Sequence, residues 1–354
     1  MAAEPPESAN RLIREDLVSS NPIHVAVIGY GGAFNMGLNH FNWMKKAGLV
    51  PTAACDLDAD RVAQAAADFP GLKTFTDYKE MLKDPDVDLV VNILPHYLHG
   101  QVNLDIVSAG KHCVSEKPFT LSVAEADACI AAAEKHNVTL TVFHNRRFDG
   151  DHRAMMEVIA NGEIGEPFHI EAGLGGYHHP GHWWRSNKDV SGGALWDWGV
   201  HFIDWVLDLI PDPVENVTAF YHKRVWDDVS NEDQTQAIIR FSSGKYADVR
   251  ISSLDAAPRA KFRILGTKGA IVMENPWSQA FTVRKVENGV TWEREFNVAD
   301  KHYPDSGEAF YADLAAHLRD GAPLTVTAQD GRRNIAVLEA AERSAVSHQA
   351  EPPA

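Results

Sequence analysis

The 354-residue chain is poor in cysteine, has no long apolar run and carries no excess of basic charge. Its three cysteines, Cys55, Cys113 and Cys129, show neither paired nor metal-like spacing, so a disulfide scaffold is excluded and reduced core thiols are expected. Without a stretch of about 18 apolar residues, no membrane-spanning helix is expected. The opening MAAEPPESANRLIREDLVSSNP carries acids and prolines in place of an apolar signal core. Residues 1–21 are therefore expected to be a disordered tail, and the protein cytoplasmic. A formal charge of −16 argues against nucleic acid or an anionic membrane as partner, since both require basic patches.

What is present is an ordinary globular balance, 45% hydrophobic and 23% charged, in a chain long enough for two domains. From residue 22 to about 145, short apolar runs (IHVAVIG, VPTAAC, DLVVNIL, KHCVS, VTLTVF) alternate with helical segments. Strands that are apolar throughout and separated by helices predict a parallel sheet covered on both faces, the doubly wound α/β Rossmann arrangement. Ser122 reads as an N-cap and Glu125 as the partner completing a capping box. From 146 to 348 the texture changes. FHIEAGL, ENVTAFYHKRV, DQTQAIIRF, KYADVRISS, AKFRILG and AIVME alternate like strands, predicting an α+β domain with an open, mainly antiparallel sheet. Its last helices are expected to pack back on the first domain, leaving 349–354 as a short tail.

Three motifs carry chemistry. The first strand runs into Gly29-Tyr30-Gly31-Gly32-Ala33-Phe34, the start of a dinucleotide-binding turn. Its third fingerprint position normally holds a small residue where helix meets strand; here it is Phe34. Asp56 follows about 25 residues later, where an acid accepts hydrogen bonds from a ribose. The competing reading makes Asp56 or Asp58 a helix cap. A carboxylate there repels a 2′-phosphate and favours NAD over NADP, although Arg61 stands nearby. Second, Glu116-Lys117-Pro118 follows a strand, at the sheet edge where such folds bind ligands, and a lysine there can stabilise an alkoxide. Third, Gly192-Gly193 precedes ALWDWGVHFIDWVLDLI, in which Asp197, His201, Asp204 and Asp208 share one helical face. That stripe is either a reactive face, with His201 as base and Asp197 orienting it, or the solvent side of an amphipathic helix.

Together the glycine turn, AGKHCVSEKPFTLSVAEA, WWRS and GGALWDWGVHFID resemble the glucose–fructose oxidoreductase, inositol dehydrogenase and MocA family. RILGTKGAIVME and FYADLAAHLRDG extend the resemblance over about residues 22 to 348. It implies catalytic roles for Lys117, Asp197 and His201. It implies cofactor contacts from the glycine turn, Asp56, Leu94, Pro95, His96, His99, Glu116 and Lys117, and a homodimer or homotetramer built through the sheet. Phe34, and Leu-Pro-His in place of the usual Thr-Pro-Asn after the fourth strand, depart from the family pattern.

Aromatic rings suit sugar faces, and His and Arg suit sugar hydroxyls. Tyr177, His178, His179, His182, Trp183, Trp184 and Arg185 are therefore substrate candidates, as are Arg146 and Arg147. No metal is expected, since no carboxylate or cysteine is spaced to complete a site with His179 and His182. The expected activity is NAD(P)-dependent hydride transfer at a hydroxyl carbon of a sugar or cyclitol. A redox-neutral NAD-dependent glycosidase and a non-catalytic sugar or nucleotide sensor are the alternatives.

Overall fold

The computed structural model describes residues 22–32, 34–275 and 280–354; the tail expected over 1–21 and the contact expected of Ala33 lie outside them. Six strands form the first sheet: β1 (His24–Ile28), β2 (Val50–Cys55), β3 (Lys73–Phe75), β4 (Leu89–Asn92), β5 (His112–Ser115) and β6 (Leu140–Val142). Their order is 3-2-1-4-5-6, every pairing parallel. This is the doubly wound arrangement expected. The helices of this region are α1 (Met36–Lys46), α2 (Ala59–Asp68), α3 (Tyr78–Met81), α4 (His99–Ser108) and α5 (Val123–His136). The apolar runs of β1 and β4 are buried along their length, as burial on both faces requires.

Local chemistry sets the helix ends. Ser122 Oγ accepts the Glu125 amide at 3.2 Å, as a cap should. The Glu125 carboxylate, however, receives the Leu121 amide and not that of Ser122, so the box is displaced by one residue. Asp58, not Asp56, caps α2 by accepting the Asp60 amide. Asp56 instead accepts the Asp58 amide on Oδ1 at 3.0 Å.

The second region contains α6 (Gly150–Ala160), β7 (Pro167–Gly175), α7 (Lys188–Ser191), α8 (Val200–Leu209), β8 (Val214–His222), β9 (Gln234–Phe241) and β10 (Tyr246–Ser252). It continues through β11 (Phe262–Gly266), β12 (Gly269–Met273), β13 (Ala280–Glu287), β14 (Val290–Asn297), α9 (Ser306–Asp320) and α10 (Ala328–Ser347). Its sheet runs 14-13-12-11-7-10-9-8, antiparallel except for the β7–β10 pair. The β13–β14 hairpin has no counterpart in the sequence expectations. β14 is an edge strand exposed over most of its length, so its pattern shows no apolar alternation. Its turn does carry a signal, Asn288-Gly289, both at positive φ. α9 packs on α1, and α10 lies against α5, α8, β6 and β8, so the C-terminal helices tie the two sheets together.

Candidate active site

The carboxyl ends of β1, β2, β4 and β5 present the glycine turn, Asp56, the 93–99 loop and Glu116-Lys117 on one edge of the parallel sheet. Gly29 adopts φ +90°, and a Cβ there would meet the Ile93 carbonyl oxygen at 3.0 Å. The Gly31 amide donates to Asp56 Oδ2 at 3.1 Å, and the Arg61 side chain lies against Gly31. Phe34 does not occupy the close-packing position expected of it. Gly37 does: a Cβ on it would sit 2.5 Å from the Tyr30 carbonyl oxygen. The Phe34 ring is 57% exposed and turns outward to Trp183. The Tyr30 ring is buried, and its hydroxyl donates to Asp68. The bare backbone of the turn and the carboxylate after β2 fit a dinucleotide.

Lys117 is buried and donates from Nζ to Asp197 Oδ1 and to the Asp197 carbonyl, each at 2.8 Å. Glu116 is held from the other side. Its Oε2 accepts the Lys117 amide at 3.0 Å, and its Oε1 lies 3.2 Å from His40 Nε2, whose other nitrogen meets the Tyr311 hydroxyl at 2.6 Å. Burial opposes ionisation of Glu116, but the His40 hydrogen bond and the charges of His40 and Lys117 prevail and hold it at about 2. Asp197 behaves alike. Burial raises it, Lys117 and Arg185 outweigh that, and it rests at about 2. Lys117 itself is lowered, first by burial and then against the pull of Asp197.

Asp197 sits in a π-helical turn, Leu195–Gly199, that runs into α8. Asp197 therefore falls out of regular α-helical register with His201, Asp204 and Asp208, which all lie in α8. Nor are they a solvent face, since Asp197, His201 and Asp204 are all buried. Asp197 does not orient His201 by a hydrogen bond: its carboxylate engages Lys117 and Arg185, and the buried His201 Nδ1 has no partner. Burial, reinforced by the positive charge of Lys117, pushes His201 well below the ordinary imidazole range. His96 is lowered for the same reasons, its Nδ1 on the Ser191 carbonyl and its Nε2 buried without a partner.

The remaining candidates divide. Trp184 stands edge-on to His96 with ring centroids 5.0 Å apart, and Arg185 bonds Asp197, so both join the cluster. Arg147 does not reach it. Its guanidinium is buried in a bidentate pair with Asp204 at 2.8 and 2.9 Å, so it has no free edge for a substrate. His99 has both ring nitrogens on main-chain carbonyls, of Pro118 and Leu94, and so holds the loops rather than a ligand. Leu94 and Pro95 line that same loop. Arg146 pairs with Asp149. Tyr177 and His178 are exposed, Tyr177 against Trp226.

The fold also brings a carboxylate to His179 and His182 that linear spacing did not suggest. Asp228 lies 3.1 Å from His179 Nε2 and 3.2 Å from His182 Nε2. His179 Nδ1 accepts the Gly181 amide, which places the ring proton on Nε2, facing the carboxylate. The absence of a carboxylate partner, on which the no-metal expectation rested, does not hold in the fold: the three ligand atoms lie within 4.8 Å of one another.

Sequence reasoning passed over His40 and His144. His144 follows β6, is buried with neither nitrogen hydrogen-bonded and with Nε2 3.9 Å from Asp204 Oδ1, and contributes to the lowering of His201. Only its place after a parallel strand could have drawn attention to it.

The glycine turn and Asp56, at the carboxyl edge of a doubly wound parallel sheet, are features of the NAD-binding Rossmann class. Residues 23–144 match the model of the oxidoreductase family with an NAD-binding Rossmann fold, and residues 152–272 match the GFO/IDH/MocA C-terminal domain. The chain belongs to this family. An uncharacterised oxidoreductase of Schizosaccharomyces pombe is 32% identical over 71% of this chain and 70% of its own length. The 1,5-anhydro-D-fructose reductase of Ensifer adhaerens is 28% identical over 82% of this chain and 87% of its own. The NADP(+)-dependent scyllo-inositol 2-dehydrogenase of Bacillus subtilis is 27% identical over 80% and 84%.

Proposed function

We propose that the protein is a dehydrogenase that removes hydride from a hydroxyl carbon of a sugar or cyclitol, with Lys117, Asp197 and His201 as its catalytic residues. The observation that carries the reading is Lys117 Nζ, fixed at 2.8 Å from Asp197 in a buried setting beside a neutral histidine. The dinucleotide, when bound, supplies the hydride acceptor. Gly29, Gly31 and Asp56 would hold it, with Glu116 and the 93–99 loop beside them.

The chain's own groups handle the proton and the charge. His201, neutral at pH 7, accepts the hydroxyl proton. Two of the three Lys117 N–H groups are committed to Asp197; the third is left to donate to the oxygen that becomes negative. Arg185 adds a second positive charge to the same carboxylate. Asp56 favours NAD, because its carboxylate opposes a 2′-phosphate.

The open face of the second sheet supports self-association. Phe220 and Tyr246 are exposed on it, the latter stacked on His169 at 4.1 Å. We place a homodimer contact there, and sedimentation of the purified protein tests it.

The decisive experiment screens sugars, inositols and sugar acids with NAD and with NADP, following absorbance at 340 nm. A substrate-dependent rise supports the reading, and the preferred nucleotide tests Asp56. A flat trace across the panel, with release of phenol from a phenyl glycoside instead, would replace it with redox-neutral bond cleavage.

A further inference from the structure

The third fingerprint position carries a phenylalanine that the nucleotide turn does not need, because Gly37 already provides the close approach to the strand. Phe34 is 57% exposed and Trp183, from the second region, 38%. The two rings meet edge-on, centroids 5.8 Å apart and planes at 70°. The Arg185 guanidinium lies against both, 5.5 Å from the Phe34 ring and 5.6 Å from that of Trp183, with Trp184 closer still at 4.7 Å. The same guanidinium bonds Asp197. A planar cation held by a buried carboxylate and flanked by aromatic faces is a rigid support.

The arrangement thus places two exposed aromatic rings one side chain, Arg185, away from the carboxylate that holds Lys117. One ring comes from the glycine turn and one from the substrate loop. The two rings together form a small continuous apolar surface open to solvent. The carbon–hydrogen face of a pyranose or a phenyl ring suits such a patch, and neither needs charge.

We infer that Phe34 and Trp183 form an outer subsite for a second ring, so that the preferred substrate is a glycoside whose inner sugar is oxidised beside Lys117 and His201. This rests on the dehydrogenase reading above. The sugar being oxidised is addressed by the polar cluster, while the ring attached to it rests on the aromatic pair. Selectivity for a glycoside over its parent sugar then comes from a contact remote from the chemistry.

The test compares D-glucose and D-galactose with their phenyl β-glycosides, cellobiose and lactose. NADH formation is followed for turnover, and calorimetry on NADH-saturated protein for binding. The glycosides should exceed their parent sugars by roughly tenfold in kcat/KM or affinity. Phe34→Ser and Trp183→Ala should each lower that ratio by roughly three- to tenfold, and Phe34→Tyr should retain it. An unchanged ratio in both variants overturns the inference. So does a uniform loss across all sugars accompanied by weaker NADH binding in Phe34→Ser, which would make Phe34 a cofactor contact. If no sugar is oxidised, the dehydrogenase reading fails on its own. The calorimetric ratio still decides the subsite, and equal affinity for glycoside and parent overturns it.

Discussion

Two buried ionic clusters lie along the same polar stripe and have opposite characters. Around Asp197, two cations, Lys117 and Arg185, face one carboxylate. Around Arg147, one guanidinium faces three carboxylates: Asp204 at 2.8 Å, Asp330 at 3.6 Å and Asp208 at 3.7 Å. His152 adds a contact to Asp208 at 2.6 Å. The first cluster opens on the edge where a nucleotide would lie; burial lowers the neighbouring imidazoles His201 and His96, and the positive charge of Lys117 adds to that. The second connects the segment after β6, α8 and the start of α10, and its one cation is fully engaged. Residue type does not separate them. Charge balance and position in the fold do.

The largest expected effect tests the first cluster. Lys117→Met and His201→Asn should each reduce kcat by on the order of 10²–10⁴, because each removes a group acting on the reacting hydroxyl. Asp197 keeps Arg185 as a partner in Lys117→Met, so the unfolding midpoint should move little. Wild-type turnover in both variants would erase the distinction between the clusters.

Arg147→Met tests the second. Three carboxylates would lose their shared cation, Asp204 buried and Asp208 and Asp330 half-buried, and stability should fall by about 3–5 kcal/mol in urea unfolding. Turnover per folded molecule should be retained. A selective loss of kcat with normal stability would return Arg147 to the substrate site.

The glycines provide a finer contrast within the nucleotide turn. Gly37→Ala pushes a methyl group against the Tyr30 backbone and should cost about 1–3 kcal/mol of stability. At Gly31 the obstacle is the flexible end of Arg61, so Gly31→Ala should fold normally and show its defect in nucleotide affinity. Denaturation curves and NADH titration separate the two.

The smallest effect is in pH dependence. His96, His144 and His201 are all lowered, chiefly by burial, from 6.5. Above pH 6.5 they are neutral folded or unfolded and contribute no linkage. Below it the unfolded chain binds protons that the folded one refuses. Stability should therefore decline as pH falls from 6.5 toward each folded value. The acid limb of kcat should lie below 6.5 for the same reason, and the alkaline limb, set by Lys117, below 10.5. Melting temperatures and rates between pH 5 and 10 check both signs.

Much of this was legible in local pattern. The β1 run and its glycines, the Ser122 cap, Lys117 after β5, and the polar residues around Asp197 all depend on neighbours a few positions away. The errors share a cause. Arg147 was read as a substrate group because its partner Asp204 is 57 residues distant. The Glu116–His40 contact spans 76 residues, and no periodicity reports it. The fingerprint spacing points to Phe34, whereas the close approach to the strand falls on Gly37.

Periodicity and turn chemistry were enough to specify the two architectures and the strand ends that bear the reactive side chains, because those are set by backbone preference and burial within each element. Which carboxylate meets which cation, which imidazole stays neutral, and which way the Phe34 ring faces depend on groups brought together from distant parts of the chain. A charge or a ring takes its role from the dielectric and the partners around it, and those exist only once the two sheets and the closing helices have packed.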